Sequence, residues 1–82
     1  MARSSNTAPT LDVTGLRCPM PVLRAGKALR EMLPGEELLV LATDPMAELD
    51  LRHFCAEAGH EFISCEQKGE ILHLRVRCGS GR

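Results

Sequence analysis

Two prolines around a single methionine, Pro19-Met20-Pro21, constrain this chain more than any other feature. A proline has a fixed φ and no amide hydrogen, so it suits the first turn of a helix and little else within one. The apolar residues that follow, Val22, Ala25, Gly26, Leu29, Met32 and Leu33, recur at helical spacing. Arg24, Lys27, Arg30 and Glu31 fall mostly on the other side. The segment reads as an amphipathic helix over roughly 19–33, stopped by Pro34-Gly35.

Immediately before this helix stands Cys18. If Cys18 is the N-cap, Pro19, Met20 and Pro21 are the first three helical positions, and the amides of Met20 and Val22 are the donors left near the sulfur. Met20 precedes a proline, which disfavours helical φ/ψ, so the alternative is a helix that starts at Pro21. Either start leaves the sulfur within about a turn of the positive end of the helix dipole, where a thiolate is favoured. Arg17, next in sequence, adds positive charge if its side chain turns toward the sulfur. The bland alternative is a small buried hydrophobe. The loop Thr14-Gly15-Leu16-Arg17 favours a surface position, and the two readings stay balanced on local sequence.

The remaining chain supplies the partners for that helix. Leu11-Asp12-Val13 is a short strand ended by Thr14-Gly15. Leu38 to Ala42 is an unbroken apolar run, which suits a central strand. Thr43-Asp44-Pro45 reads as a turn or helix entry, residues 45–49 as a separate helical turn, and Asp50 as the N-cap of a second helix carrying Leu51, Phe54, Cys55 and Ala58 to Gly59. Residues 61–67 and 70–77 are two strands joined at Lys68-Gly69. In the last, Leu72, Leu74 and Val76 alternate with Ile71, His73, Arg75 and Arg77; in the one before it, Ile63 and Cys65 are expected to point inward. The order β-α-β-α-β-β predicts an α/β (α+β) two-layer sandwich: one four-stranded mixed sheet with two helices on one face. Residues 1–9, small and polar, are read as a disordered tail, leaving one domain over 10–82.

Composition narrows the function. The chain has 82 residues and only two aromatics, Phe54 and Phe62, so its core is mostly aliphatic. Ten basic and eleven acidic residues give a net charge of -1, which argues against direct nucleic-acid binding as the main task. No segment approaches the ~20 apolar residues of a membrane span. The first residues lack the apolar core of a secretory signal, so a cytoplasmic location and reduced thiols are expected.

A hydrolytic thiol needs a base, and His53, His60 and His73 are the only imidazoles; none is placed beside Cys18 by sequence. A dithiol redox enzyme wants a second cysteine at position 21, which is proline. Cys18, Cys55, Cys65 and Cys78 are too spread to suggest zinc, and no metal or cofactor is implied. Cys55 and Cys65 read as core residues and Cys78 as incidental. A single nucleophilic thiol without machinery suits carrying sulfur, by attacking a disulfide or persulfide and passing the outer sulfur on. Arg24 and Lys27 are candidate docking charges for a larger protein. Met20 is a candidate apolar contact. The row His73, Arg75, Arg77 and Arg82 is either a docking patch or a solvated sheet face.

The stretch Asp12-Val13-Thr14-Gly15-Leu16-Arg17-Cys18-Pro19-Met20-Pro21 resembles the signature of the TusA/SirA-like sulfur-carrier family, with its Cys-Pro-x-Pro motif. The likeness runs through Pro34-Gly35-Glu36, Asp44-Pro45, Asp50, Phe54-Cys55 and Gly59-His60-Glu61, covering about residues 11–78. It implies the same β-α-β-α-β-β sandwich, similar also to the C-terminal domain of translation initiation factor 3. It further implies a sulfurtransferase acting as a persulfide carrier. Cys18 would be the persulfide nucleophile and Arg17, Pro19, Met20 and Pro21 its supporting helix start. A cysteine desulfurase would be the donor and a downstream sulfur-relay protein the acceptor. The tRNA-thiolation branch, leading to 2-thiouridine, fits the motifs best. Sulfur oxidation, molybdenum cofactor supply and a non-catalytic regulatory or binding module are the alternatives.

Overall fold

The computed structural model describes residues 8–79. Six elements follow in order: β1 (Thr10–Asp12), α1 (Met20–Arg30), β2 (Glu37–Ala42), α2 (Ala47–Ala58), β3 (Glu61–Lys68) and β4 (Ile71–Arg77). The strands form one sheet in the order β1-β2-β4-β3. β1 and β2 are parallel, joined across α1, while β4 is antiparallel to both β2 and β3. α2 carries the chain past the slot that β4 fills, and the β3–β4 hairpin closes through Gly69, which takes a left-handed φ of +64°.

Alternation decides which face of the sheet is buried. In β4, Leu72, Leu74 and Val76 are buried, while His73, Arg75 and Arg77 are half-buried on the open side. Register carries the pattern into β2, where Val76 pairs with Leu38, Leu74 with Val40 and Leu72 with Ala42. These six residues and Val13 form the floor on which Ala25 and Leu29 of α1 and Ala47, Leu51 and Cys55 of α2 pack. The result is the two-layer α+β sandwich, with both helices on one face.

Three sequence expectations change. β2 is central, yet its continuous apolar run is not buried on both sides: Leu39 and Leu41 lie half-buried on the open face. In β3 a bulge between Phe62 and Ser64 inserts Ile63 as an extra residue, so Phe62 and Cys65, rather than Ile63 and Cys65, reach the core. In α1, helical bonding ends at Arg30. Glu31 and Met32 donate to Ala28 and Leu29 in a tighter final turn, which leaves Leu33 68% exposed.

The tail expected over residues 1–9 lies mostly outside the described residues. Within them, the Pro9 carbonyl accepts a bond from the Leu39 amide at 3.0 Å, tying that end to the sheet. Arg82 also lies outside the described residues. On the open face, Arg77 bridges Glu37 on β2 (3.0 Å) and Glu61 on β3 (2.5 Å), and Arg75 lies 3.7 Å from Glu37. These cross-strand pairs favour the solvated-face reading of the basic row.

The helices meet where α1 carries no side chain. A Cβ placed on Gly26 would sit 3.0 Å from Phe54 Cζ, so this glycine allows the close approach of α2. A β-branched residue there must push the ring aside. Gly26→Val is therefore expected to cost about 1–2 kcal/mol despite its better helix propensity. A urea titration by circular dichroism measures it, and an unchanged midpoint would contradict the close packing.

Candidate functional site

The loop from Val13 to Pro19 is fastened at several points to the parallel strands. The Val13 amide donates to the Leu41 carbonyl at 2.8 Å, and the Gly15 amide to Thr43 Oγ1 at 2.9 Å. Asp12 Oδ1 accepts from both the amide and hydroxyl of Thr14, which turns the chain out of β1 and holds the Asp12 carboxyl below its ordinary pKa. The Cys18 amide donates to Asp44 Oδ2. Asp44 Oδ1 accepts from the Met46 amide at 3.0 Å, and its carbonyl accepts from Ala47 at 2.9 Å. One aspartate thus fixes the backbone of Cys18 and starts α2.

This arrangement corrects the expected helix starts. Pro19 is the N-cap of α1, with Met20 and Pro21 in its first two positions; Cys18 is the residue before the cap. The Met20 amide donates to the Arg17 carbonyl at 2.7 Å and is not a donor for the sulfur. Pro21 is buried, whereas Cys18, Pro19 and Met20 are exposed. Asp50 is not the N-cap of the second helix. α2 begins at Ala47 after Met46, with Glu48 and Asp50 in its first turn, so residues 45–49 form no separate turn.

Cys18 opens onto a groove between the helices. Pro19 and Val22 lie on its α1 side, and Leu49, Asp50 and His53 on its α2 side. Phe54 and Glu57 line it further along. Arg17 does not: it lines a neighbouring groove with Gly15, Thr43 and Asp44. Arg24 and Lys27 are exposed on α1 outside the thiol groove, and Lys27 pairs with Glu31 at 3.1 Å.

The electrostatics reverse the expectation of a stabilised thiolate. A hydrogen bond to the Asp50 carboxylate pushes the Cys18 thiol above its ordinary pKa, helped by desolvation and by the charges of Asp50 and Asp44. The charges of Asp50 and Asp44 act against the thiolate that the helix start would favour. The reactivity of free Cys18 toward electrophiles should therefore climb at higher pH than that of an ordinary exposed thiol. Sequence reading missed this because it rests on contacts 26 and 32 residues away, to Asp44 and Asp50. The Thr43-Asp44-Pro45 segment was legible as a turn or helix entry, but not as a partner of Cys18.

The other candidates separate. Cys55 is 1% exposed and burial pushes its thiol up to about 11. Cys78 is buried and donates from Sγ to the Leu29 carbonyl at 3.3 Å, so it is a packed core residue rather than incidental. Cys65 is half-buried, and burial is the main cause that raises its pKa, followed by Glu48. His60 accepts the Gly79 amide at Nδ1, 2.9 Å away, which needs a neutral ring, and burial lowers its pKa accordingly. His73 lies on the open sheet face; only His53 shares the groove with Cys18. Among the described residues no group of acids, histidines and cysteines could hold a metal, and no helix is long and apolar enough to cross a membrane. Native protein at about pH 8 with iodoacetamide is expected to label Cys18 at least ~100-fold faster than Cys55 or Cys78, as read by peptide mass mapping; comparable rates would contradict the burial pattern.

Comparison with known proteins gives a consistent picture. Residues 9–78 match the family model described as Sulfurtransferase TusA. Two proteins of Neisseria meningitidis, from serogroups A and B, both bear sulfur-carrier names. Each is 47% identical over 68 residues, covering 83% of this chain and 92% of the relative. The crystal structure of a SirA-like protein from Desulfitobacterium hafniense superposes with a TM-score of 0.70 at 27% identity, covering 87% of this chain and 97% of that one. The fold, the Cys-Pro-x-Pro lead-in and these matches agree, and the chain belongs to the TusA family of sulfur-carrier sulfurtransferases.

Proposed function

We propose that this protein accepts sulfane sulfur from a cysteine desulfurase as a persulfide on Cys18. It then passes that sulfur to a downstream relay protein in the cytoplasm, on the way to 2-thiouridine in tRNA. The observation that carries this reading is the contrast among the four thiols: Cys18 alone is exposed, while Cys55 and Cys78 are buried and Cys65 is half-buried.

The chemistry is an exchange of sulfur atoms and needs no oxidant. Cys18 Sγ attacks the outer sulfur of the donor's persulfide, and the donor's S–S bond breaks as the new one forms. Cys18 ends as a persulfide, and the proton it loses is made up on the departing donor thiol. Delivery repeats the step with Cys18 as the leaving group. Met20, two residues from Cys18 along the chain, is 38% exposed, and Leu49, which lines the thiol's groove, is 57% exposed. Such an apolar rim suits transient contact with a larger protein. Arg17, Pro19, Met20 and Pro21 shape the presentation of the thiol, and Arg24 and Lys27, exposed on α1 outside the groove, are docking charges. The routes to sulfur oxidation or molybdenum cofactor supply would use the same loading step and differ in the acceptor.

Incubation with a cysteine desulfurase and cysteine, followed by intact and peptide mass measurement, is the test. A gain of about 32 Da on the peptide containing Cys18 is expected. Sulfur on another cysteine, or none at all, would remove the proposal.

A further inference from the structure

Among its described lining residues, the thiol groove's acidic side chains meet no lysine or arginine. Asp50 and Glu57 line it from α2, and Asp44 reaches the Cys18 backbone from the β2–α2 turn. No lysine or arginine is among its lining residues, and the one imidazole there, His53, is exposed. α1 contributes only Pro19 and Val22 beside Cys18. The nearest cation in sequence, Arg17, faces the neighbouring groove, with Asp44 beside it. The exposed sulfur therefore shares its cavity with carboxylates that nothing among the described lining residues neutralises.

We propose that Asp50 is a positioning residue that keeps the proton on Cys18 Sγ until a cationic side chain of a docked partner pairs with its carboxylate. The biological meaning rests on the persulfide-carrier reading above, but the pairing itself does not need it. Between partners the exposed thiol is quiet toward stray disulfides and electrophiles. When the partner's cation takes up the Asp50 charge, the proton leaves Sγ, the sulfur attacks the donor's outer sulfur, and the departing donor thiolate collects a proton. Net, a thiol and a persulfide exchange one sulfur atom. The same carboxylate disfavours the anion of the loaded persulfide and so favours the neutral form, whose outer sulfur the next thiolate attacks.

Small disulfides of opposite charge stand in for partner chemistry. The full chain, with Cys18→Ser to subtract background, is treated with cystamine, a dication, and with dithiodiglycolate, a dianion, while iodoacetamide gives the pH profile. Asp50→Asn is expected to move the iodoacetamide profile to lower pH and to raise the rate near neutrality about three- to tenfold. It should also lower the cystamine-to-dithiodiglycolate rate ratio by about threefold or more. Asp50→Glu should restore both, and Glu66→Gln, on the open sheet face, should change neither. On the unaltered protein the cystamine preference should shrink as salt is raised, which tests the charge without any substitution. Superimposable profiles for Asp50→Asn and the unaltered protein would overturn the proposal while sulfur loading on Cys18 still stood. A shifted profile with no sulfur loading would support the pairing and remove the carrier reading instead.

Discussion

Cys18→Ser is expected to abolish sulfur loading altogether while leaving the melting temperature within about 2 °C. The fold has little stake in the sulfur. Cys18 is exposed, and what anchors it is its backbone amide, which donates to Asp44 whatever the side chain. A hydroxyl oxygen at neutral pH cannot take sulfane sulfur as a thiol can. No other thiol can substitute: Cys55 and Cys78 are 1% and 5% exposed, and Cys65 packs against the core. Intact mass after treatment with desulfurase and cysteine, alongside a thermal melt, gives both readings. A variant that still gains about 32 Da, or one that melts far lower, would show that Cys18 is not the carrier thiol or that its sulfur is structural.

Leu74→Ala is expected to cost about 3–4 kcal/mol, a large part of the stability of a domain this small. Leu74 is wholly buried in the middle of β4, beside Val40 on β2 and Cys65 on β3. Strands flank it on both sides and helices cover it, so the cavity cannot collapse. Leu33→Ala removes the same atoms from a side chain that is 68% exposed, and should cost under about 0.5 kcal/mol. At roughly 1 kcal/mol per molar urea, the first variant's midpoint falls by about 3 M and the second's barely moves. Equal midpoints for the two would contradict the assigned core.

How much of this was legible beforehand varies with the range of the interaction. β4 could be read residue by residue because its alternation is a local pattern that one buried face imposes. The buried stripe of α1, Ala25, Gly26 and Leu29, was equally plain. Ile63 was misplaced because a bulge is set by pairing with β4, which the β3 sequence does not encode locally. Asp50 was misread as a cap because Asp is a good cap in isolation; here Met46 is the N-cap, Asp44 turns the chain into the helix by accepting from the Met46 amide, and the helix starts sooner. The electrostatic surroundings of Cys18 were misjudged for a related reason. A helix dipole can be inferred from neighbours in sequence, whereas a carboxylate on the facing helix can be known only once the two helices are docked. Position 18 could be found from sequence; its environment could not.

The course of the chain also settles how the protein can be handled. Cys18 sits where the parallel strands end and both helices begin, whereas Gly79 lies at their far ends, its amide bonded to His60. Along an eleven-residue helix that separation is about 16 Å. β1 likewise runs from Thr10 toward the thiol, so both ends of the described chain leave from the opposite pole. A fluorophore carried by a residue of that opposite pole within the described chain would mark the molecule from behind and leave the thiol pole free to meet donor and acceptor in turn.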